Sequence, residues 1–172
     1  MEPKITLVLG GAASGKSAFA ENLVFQSGKP RHYWATSQVF DAEMAEKVRL
    51  HLAQRGADWT TVEEPQDAAA ALVGIDAGDI LLMDCATMWL TNHLLAENDL
   101  TAATDQLMAA FAACSAEIIV VSNETGMGIV PENALARRFR EAQGRLNITL
   151  AARADRVVQV VAGLPNVLKG SL

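Results

Sequence analysis

The residues Gly10-Gly11-Ala12-Ala13-Ser14-Gly15-Lys16-Ser17 follow the spacing G-x-x-x-x-G-K-[ST]. The chemistry of that spacing is anion binding. Glycines let the backbone curl so that successive N–H groups point at one anion, and a helix that follows presents its positive end to the same place. Lys16 then reaches the outer phosphates of a nucleotide, and Ser17 offers a hydroxyl to Mg²⁺. Ile80-Leu81-Leu82-Met83-Asp84 is a hydrophobic run ending in an acid, the Walker B pattern that holds the metal or its water. Read alone the pattern is weak, since an Asp after a strand can also cap the helix that follows it; paired with the loop it points to the metal. His51 is a third candidate. At about 100° per residue, Met44, Val48, His51 and Arg55 share one narrow face of a predicted helix. A histidine there is either a boundary residue bonded to structure, or a phosphate contact or nucleophile whose neutral imidazole attacks phosphorus, with Arg55 beside it. His32, at a strand start, and His93, in a leucine-rich helix, read as structural.

These residues need elements to position them. Strands are predicted over 4–9, 31–35, 59–62, 80–83 and 118–121, with 156–161 as the last. Helices are predicted over 16–26, 41–55, 66–73, 87–96, 101–114 and 132–153, with Pro131 in the first turn of the last one. The alternation predicts a three-layer α/β fold around a mostly parallel sheet, one domain over 1–172. In such sheets, ligands bind beyond the carboxyl ends of the strands. Polar clusters fall there after every early strand: residues 10–17, then Thr36 and Ser37, then Glu63 and Glu64, then Asp84, then Ser122, Asn123 and Glu124.

Composition bounds the function further. The 172 residues are 51% hydrophobic and 20% charged, enough to bury a core. The net charge of −6 argues against a general nucleic-acid binder but leaves anionic small ligands open. Cys85 and Cys114 form no C-x-x-C pair and read as reduced thiols in a cytoplasmic protein. The apolar runs are far shorter than the roughly 20 residues of a membrane helix. The N-terminal run reads as a buried first strand rather than a signal peptide. Trp34, Trp59 and Trp89 read as core residues.

The chain resembles the bifunctional adenosylcobinamide kinase / adenosylcobinamide-phosphate guanylyltransferase family of cobalamin biosynthesis. The resemblance is carried by GGAASGKS at 10–17, ATSQVFDAEMAEKVRLH at 35–51, WTTVEEP at 59–65 and VSNETGMGIVPENALARRFREAQGRLN at 121–147. It implies a P-loop NTPase fold of the RecA-like kind and a homotrimer. It also implies two reactions: phosphorylation of adenosylcobinamide by ATP or GTP, then transfer of GMP from GTP, giving adenosylcobinamide-GDP and pyrophosphate. The GMP passes through a covalent histidine, whose position His51 matches. The matching implies nucleotide contacts at residues 10–17, Ala35, Thr36, Ser37, Leu52, Ala53, Gln54, Arg55, Glu63 and Asp84. Lys16, His51 and Asp84 carry the catalysis, and Ser17 and Asp84 hold Mg²⁺. Many relatives have Arg where this chain has Ala13, and some have Glu in place of Asp84. Asn123 and Glu124 are either substrate contacts or an ordinary polar turn. Competing classes are a small-metabolite kinase, which leaves His51 without a role, and a regulatory GTPase, which needs an N/T-K-x-D element that the chain lacks. A third is a non-catalytic nucleotide-binding module, against which Lys16, Ser17 and Asp84 argue.

Overall fold

The computed structural model describes residues 4–38 and 58–172. The expected helix over 41–55 lies outside the described residues, and with it His51 and residues 52–55. Seven strands form one sheet: β1 Ile5–Gly10, β2 Arg31–Ala35, β3 Trp59–Glu63, β4 Ile80–Asp84, β5 Glu117–Asn123, β6 Arg156–Val161 and β7 Leu164–Lys169. Their order is β3-β2-β4-β5-β1-β6-β7. All neighbours are parallel except β6 and β7. The described helices are α1 Lys16–Ser27, α2 Ala68–Ala71, α3 Ala86–Leu95, α4 Leu100–Ala113 and α5 Ala134–Arg153.

The central strands are continuous apolar runs because both of their faces are covered. Val8, Ile80, Leu82, Ile119 and Val121 pack with Ala20 and Val24 of α1 on one face. Leu7, Leu81, Met83, Ile118 and Val120 turn the other way, against Trp89, Leu107, Phe111, Leu146 and Leu150 of α3, α4 and α5. Each buried aliphatic side chain contributes about 1.5–3 kcal/mol, so the two apolar layers fix the register on which the site depends.

Three expectations need correction. The strand over 156–161 is not the last. Ala162 and Gly163, at φ 52° and 77°, turn the chain back into the antiparallel edge strand β7. Such a two-residue turn matches strand twist, and Pro165 is tolerated because it lies on an edge. Pro131 is not in the first turn of α5. Asn133 caps that helix by accepting from the Ala136 N–H, and Pro131 lies in the approach to it. The helix over 66–73 shrinks to Ala68–Ala71, opened by the Asp67 cap and followed by Gly74 at φ 78°.

Candidate functional site

β1 ends at Gly10, and the chain turns through 11–15 into α1. Ala13 (φ 54°) and Gly15 (φ 92°) are both left-handed, and the Ser14 N–H donates to Gly11 O at 3.3 Å. At Gly10 a Cβ would lie 2.3 Å from Ser14 Oγ and 2.8 Å from Val160 O, so the spacing demands glycine for want of room. α1 has no side-chain cap, and neither has α3, whereas Asp67, Asp99 and Asn133 cap α2, α4 and α5. The N–H groups of the first turn of α1 therefore have no side-chain acceptor, and an anion can take that role. Lys16 Nζ donates to Gly11 O at 3.1 Å, which keeps the ammonium folded over the loop. The β6–β7 turn braces the loop from behind, through a 2.8 Å bond from the Gly163 N–H to Ser14 O.

Asp84 closes β4 beside Ala35 of β2 and Val121 of β5. Strand alternation puts it on the same face as Ile80 and Leu82, the face that carries α1. The Tyr33 hydroxyl donates to Asp84 Oδ2 at 2.8 Å and aims the carboxylate. The helix cap position belongs to Cys85, not to Asp84. Burial, then the adjacent Asp84 carboxylate, pushes the Cys85 thiol up to about 11, so it is no nucleophile at neutral pH.

Thr36 is fully buried. Its hydroxyl donates to Cys85 O and accepts from the Cys85 N–H, both at 2.8 Å, tying the ends of β2 and β4 together. Asn92 Nδ2 adds bonds to Thr36 O (2.7 Å) and Pro65 O (2.9 Å), which bring in the end of β3. Ala35 and Ser37 flank Thr36 half-buried, and Glu63 is exposed at the end of β3, beside Ala35.

Sequence reasoning placed Ser122 and Asn123 at the sheet edge but assigned no role to Thr87, Gln143 and Asn147, which organise the end of β5. Ser122 Oγ donates to Asn147 Oδ1 at 2.6 Å, and Gln143 Nε2 donates to both of those oxygens. Asn147 Nδ2 bonds Asn123 O, and the Asn123 N–H bonds Thr87 Oγ1. The loop that follows is gathered by two arginines. Arg140 donates to the carbonyl oxygens of Gly126, Gly128 and Ile129, and Arg137 to those of Pro131 and Glu132. A signal existed: Arg140, Gln143 and Asn147 recur at helical spacing on one face of α5, where an ordinary packing stripe is apolar.

Several side chains stay outside the chemistry. His32 Nε2 lies 3.0 Å from Asp79 Oδ2 at the start of β2. His93 approaches Gln66 O at 3.3 Å and Asn98 Nδ2 at 2.9 Å, and burial holds its pKa below the usual imidazole value. Trp34 and Trp89 are buried, as expected, with indole N–H groups bonded to Glu64 O and Gln66 O. No helix among the described residues is long and apolar enough to cross a membrane.

The site thus gathers Gly10 to Ser17, Ala35 to Ser37, Glu63, Asp84 and Asn123 along the carboxyl edge of one sheet. It can hold a polyphosphate at the α1 terminus with a carboxylate on the same face. A solved structure from Pyrococcus horikoshii OT3 has a similar fold, with a TM-score of 0.56 at 11% identity, covering 98% of this chain and 87% of that one. Sequence relatives are nearer. The bifunctional adenosylcobalamin biosynthesis protein CobP of Pseudomonas aeruginosa is 46% identical over 167 residues, covering 95% of this chain and 96% of the relative. Its counterparts named CobU, from Escherichia coli and Salmonella typhimurium, are 40% and 42% identical, each over 92% of this chain and 96% of the relative. Residues 6–168 match the family described as cobinamide kinase / cobinamide phosphate guanyltransferase. With its phosphate loop, its acid-tipped β4 and this near full-length similarity, the chain belongs to the cobinamide kinase / cobinamide phosphate guanyltransferase family.

Proposed function

We propose that the chain phosphorylates adenosylcobinamide with ATP or GTP, and then transfers GMP from GTP to the product through a guanylyl-histidine at His51. The observation that carries the nucleotide half is the loop at 10–17 leading into a helix with no side-chain cap. The family match carries the choice of acceptor. In the kinase step the acceptor hydroxyl oxygen bonds to the γ-phosphorus. The bridging oxygen leaves with the diphosphate, and the hydroxyl proton is lost. Lys16 and the loop amides neutralise charge on the phosphates, and positioning supplies most of the acceleration.

In the transferase step a lone pair of neutral His51 attacks the α-phosphorus of GTP, and pyrophosphate departs. A phosphate oxygen of adenosylcobinamide phosphate then displaces the histidine, giving adenosylcobinamide-GDP. Leu52, Ala53, Gln54 and Arg55 follow His51 directly, and Ala35, Thr36, Ser37 and Glu63 complete the nucleotide contacts in this reading. Thr36 contributes through its backbone course, since its hydroxyl is committed to Cys85.

The donor set suits Mg²⁺. Ser17 and Asp84 offer hard oxygens, and no cluster of three or more His, Cys, Asp or Glu side chains occurs among the described residues. That pattern fits an ion held by one or two protein oxygens and the phosphates. Bound there, Mg²⁺ would neutralise charge on the phosphate oxygens. The reading includes a homotrimer in the cytoplasm, which light scattering on purified protein and cell fractionation would test.

The kinase half is tested with γ-labelled ATP and cobinamide. Wild type transfers label to the corrinoid, while Lys16→Ala loses at least 100-fold in kcat/KM and His51→Ala keeps this step. Label released to water without reaching cobinamide would refute the reading in favour of an NTPase.

A further inference from the structure

We propose that the loop between β5 and α5 is the platform on which the corrinoid acceptor rests, with Met127, Ile129 and Val130 against its macrocycle. The proposal rests on the functional reading above. Met127, Ile129 and Val130 are 83%, 96% and 67% exposed. Three large apolar groups within four residues, all turned to solvent, call for a ligand or partner.

The loop is not loose. Arg140 and Arg137 collect five of its carbonyl oxygens, so the polar backbone turns inward to the guanidinium groups and the apolar side chains are left outside. Its base is fixed beside the phosphate loop, because Asn123 pairs with Gly10 and the Glu124 N–H donates to Gly10 O at 3.0 Å.

That location selects the occupant. A kinase acceptor must bring its hydroxyl to the γ-phosphate held by residues 10–17, and the rest of the acceptor must lie on the surface next to it. Cobinamide is a broad macrocycle with methyl groups and neutral amides at its rim. An uncharged apolar shelf fits the former. At the foot of the loop, Asn123 Oδ1 and Thr125 Oγ1 are buried with no hydrogen-bond partner among the described residues, and they can receive or give bonds to amides or to the reacting hydroxyl. A second copy of the chain is the rival occupant, and the experiment separates the two.

Steady-state kinase kinetics would be measured on the full chain for Met127→Ser, Ile129→Ser, the conservative Ile129→Leu, and Val73→Ser as an exposed control away from the loop, with molar mass by light scattering for each. The expected result is a KM for cobinamide raised roughly tenfold or more in Met127→Ser and Ile129→Ser, the loss expected for one covered aliphatic side chain. KM for ATP should stay within about twofold, Ile129→Leu should restore most of the effect, and molar mass should not change. An unchanged KM for cobinamide in both serine variants overturns the proposal. So does a rise that occurs only with dissociation into smaller species, which would make the loop a subunit contact. Wild type that phosphorylates no cobinamide would sink the functional reading itself, an outcome distinct from either.

Discussion

Gly15→Ala is the substitution on which the geometry of the phosphate loop speaks most directly. Gly15 sits at φ 92°, where an L-residue costs about 1–2 kcal/mol. An added Cβ would lie 3.0 Å from Gly163 Cα, so the β6–β7 turn must retreat by a few tenths of an ångström. That movement strains the 2.8 Å bond from the Gly163 N–H to Ser14 O, whose loss costs about 1 kcal/mol. Stiffening of the unfolded chain returns about 0.5 kcal/mol. The net destabilisation is about 1.5–2.5 kcal/mol, which for a chain of this size lowers Tm by about 3–10 °C. Gly11→Ala is the matched control, because its Cβ would meet nothing within 4 Å and its φ is not positive. Thermal unfolding without nucleotide therefore separates loop strain from any clash with a bound phosphate. Equal Tm values for the two variants would refute the claim that the hairpin braces the loop through Gly15.

Tyr33→Phe removes the hydroxyl that aims Asp84. It should lower kcat of the kinase step about 3- to 10-fold at saturating substrates with KM for ATP little changed, as steady-state kinetics will show. Asn147→Ala leaves Ser122, Gln143 and the Asn123 carbonyl short of partners inside the protein, so chemical denaturation should report a loss of about 1–3 kcal/mol. Cys85 should resist iodoacetamide at pH 8 in the folded enzyme and react as pH approaches its raised pKa of about 11, as peptide mapping will show. Because folded Cys85 holds its proton more tightly than the unfolded thiol, its contribution to stability is full below the unfolded pKa and falls as pH rises from about 9 towards 11.

Much of this arrangement was legible in the sequence, for identifiable reasons. The core strands could be read because burial on both faces leaves unbroken apolar runs. The phosphate loop could be read because two of its glycines are required by the fold: Gly10 is crowded by Ser14 and Val160, and Gly15 sits at φ 92°. Asp84 followed from its place at the end of such a run. Strand β7 was illegible because all six of its residues are exposed and carry no apolar alternation, and Pro165 argues locally against a strand. Its turn, placed by tertiary contact, is what braces the loop. The role of Arg137 was hidden because its partners are backbone carbonyls, and the polar stripe of Arg140, Gln143 and Asn147 marks a face of α5 without naming the carbonyls that Arg140 holds. The Tyr33–Asp84 bond needed the β2–β4 pairing, Ala35 beside Asp84, which no local pattern supplies. Thr36 looked like a site residue by position, yet it is fully buried and tied to Cys85.

The central claim is that one chain carries both phosphoryl and guanylyl transfer, the second through His51. Intact-protein mass after incubation with GTP and Mg²⁺ tests it most directly. The sample is kept alkaline because a phosphorus–nitrogen bond is acid-labile, and wild type is run beside His51→Ala. The account predicts a GMP-sized increment on wild type alone, discharged when adenosylcobinamide phosphate is added. An increment of the same size on His51→Ala, or none on wild type before the acceptor is added and with GTP binding intact, would contradict it.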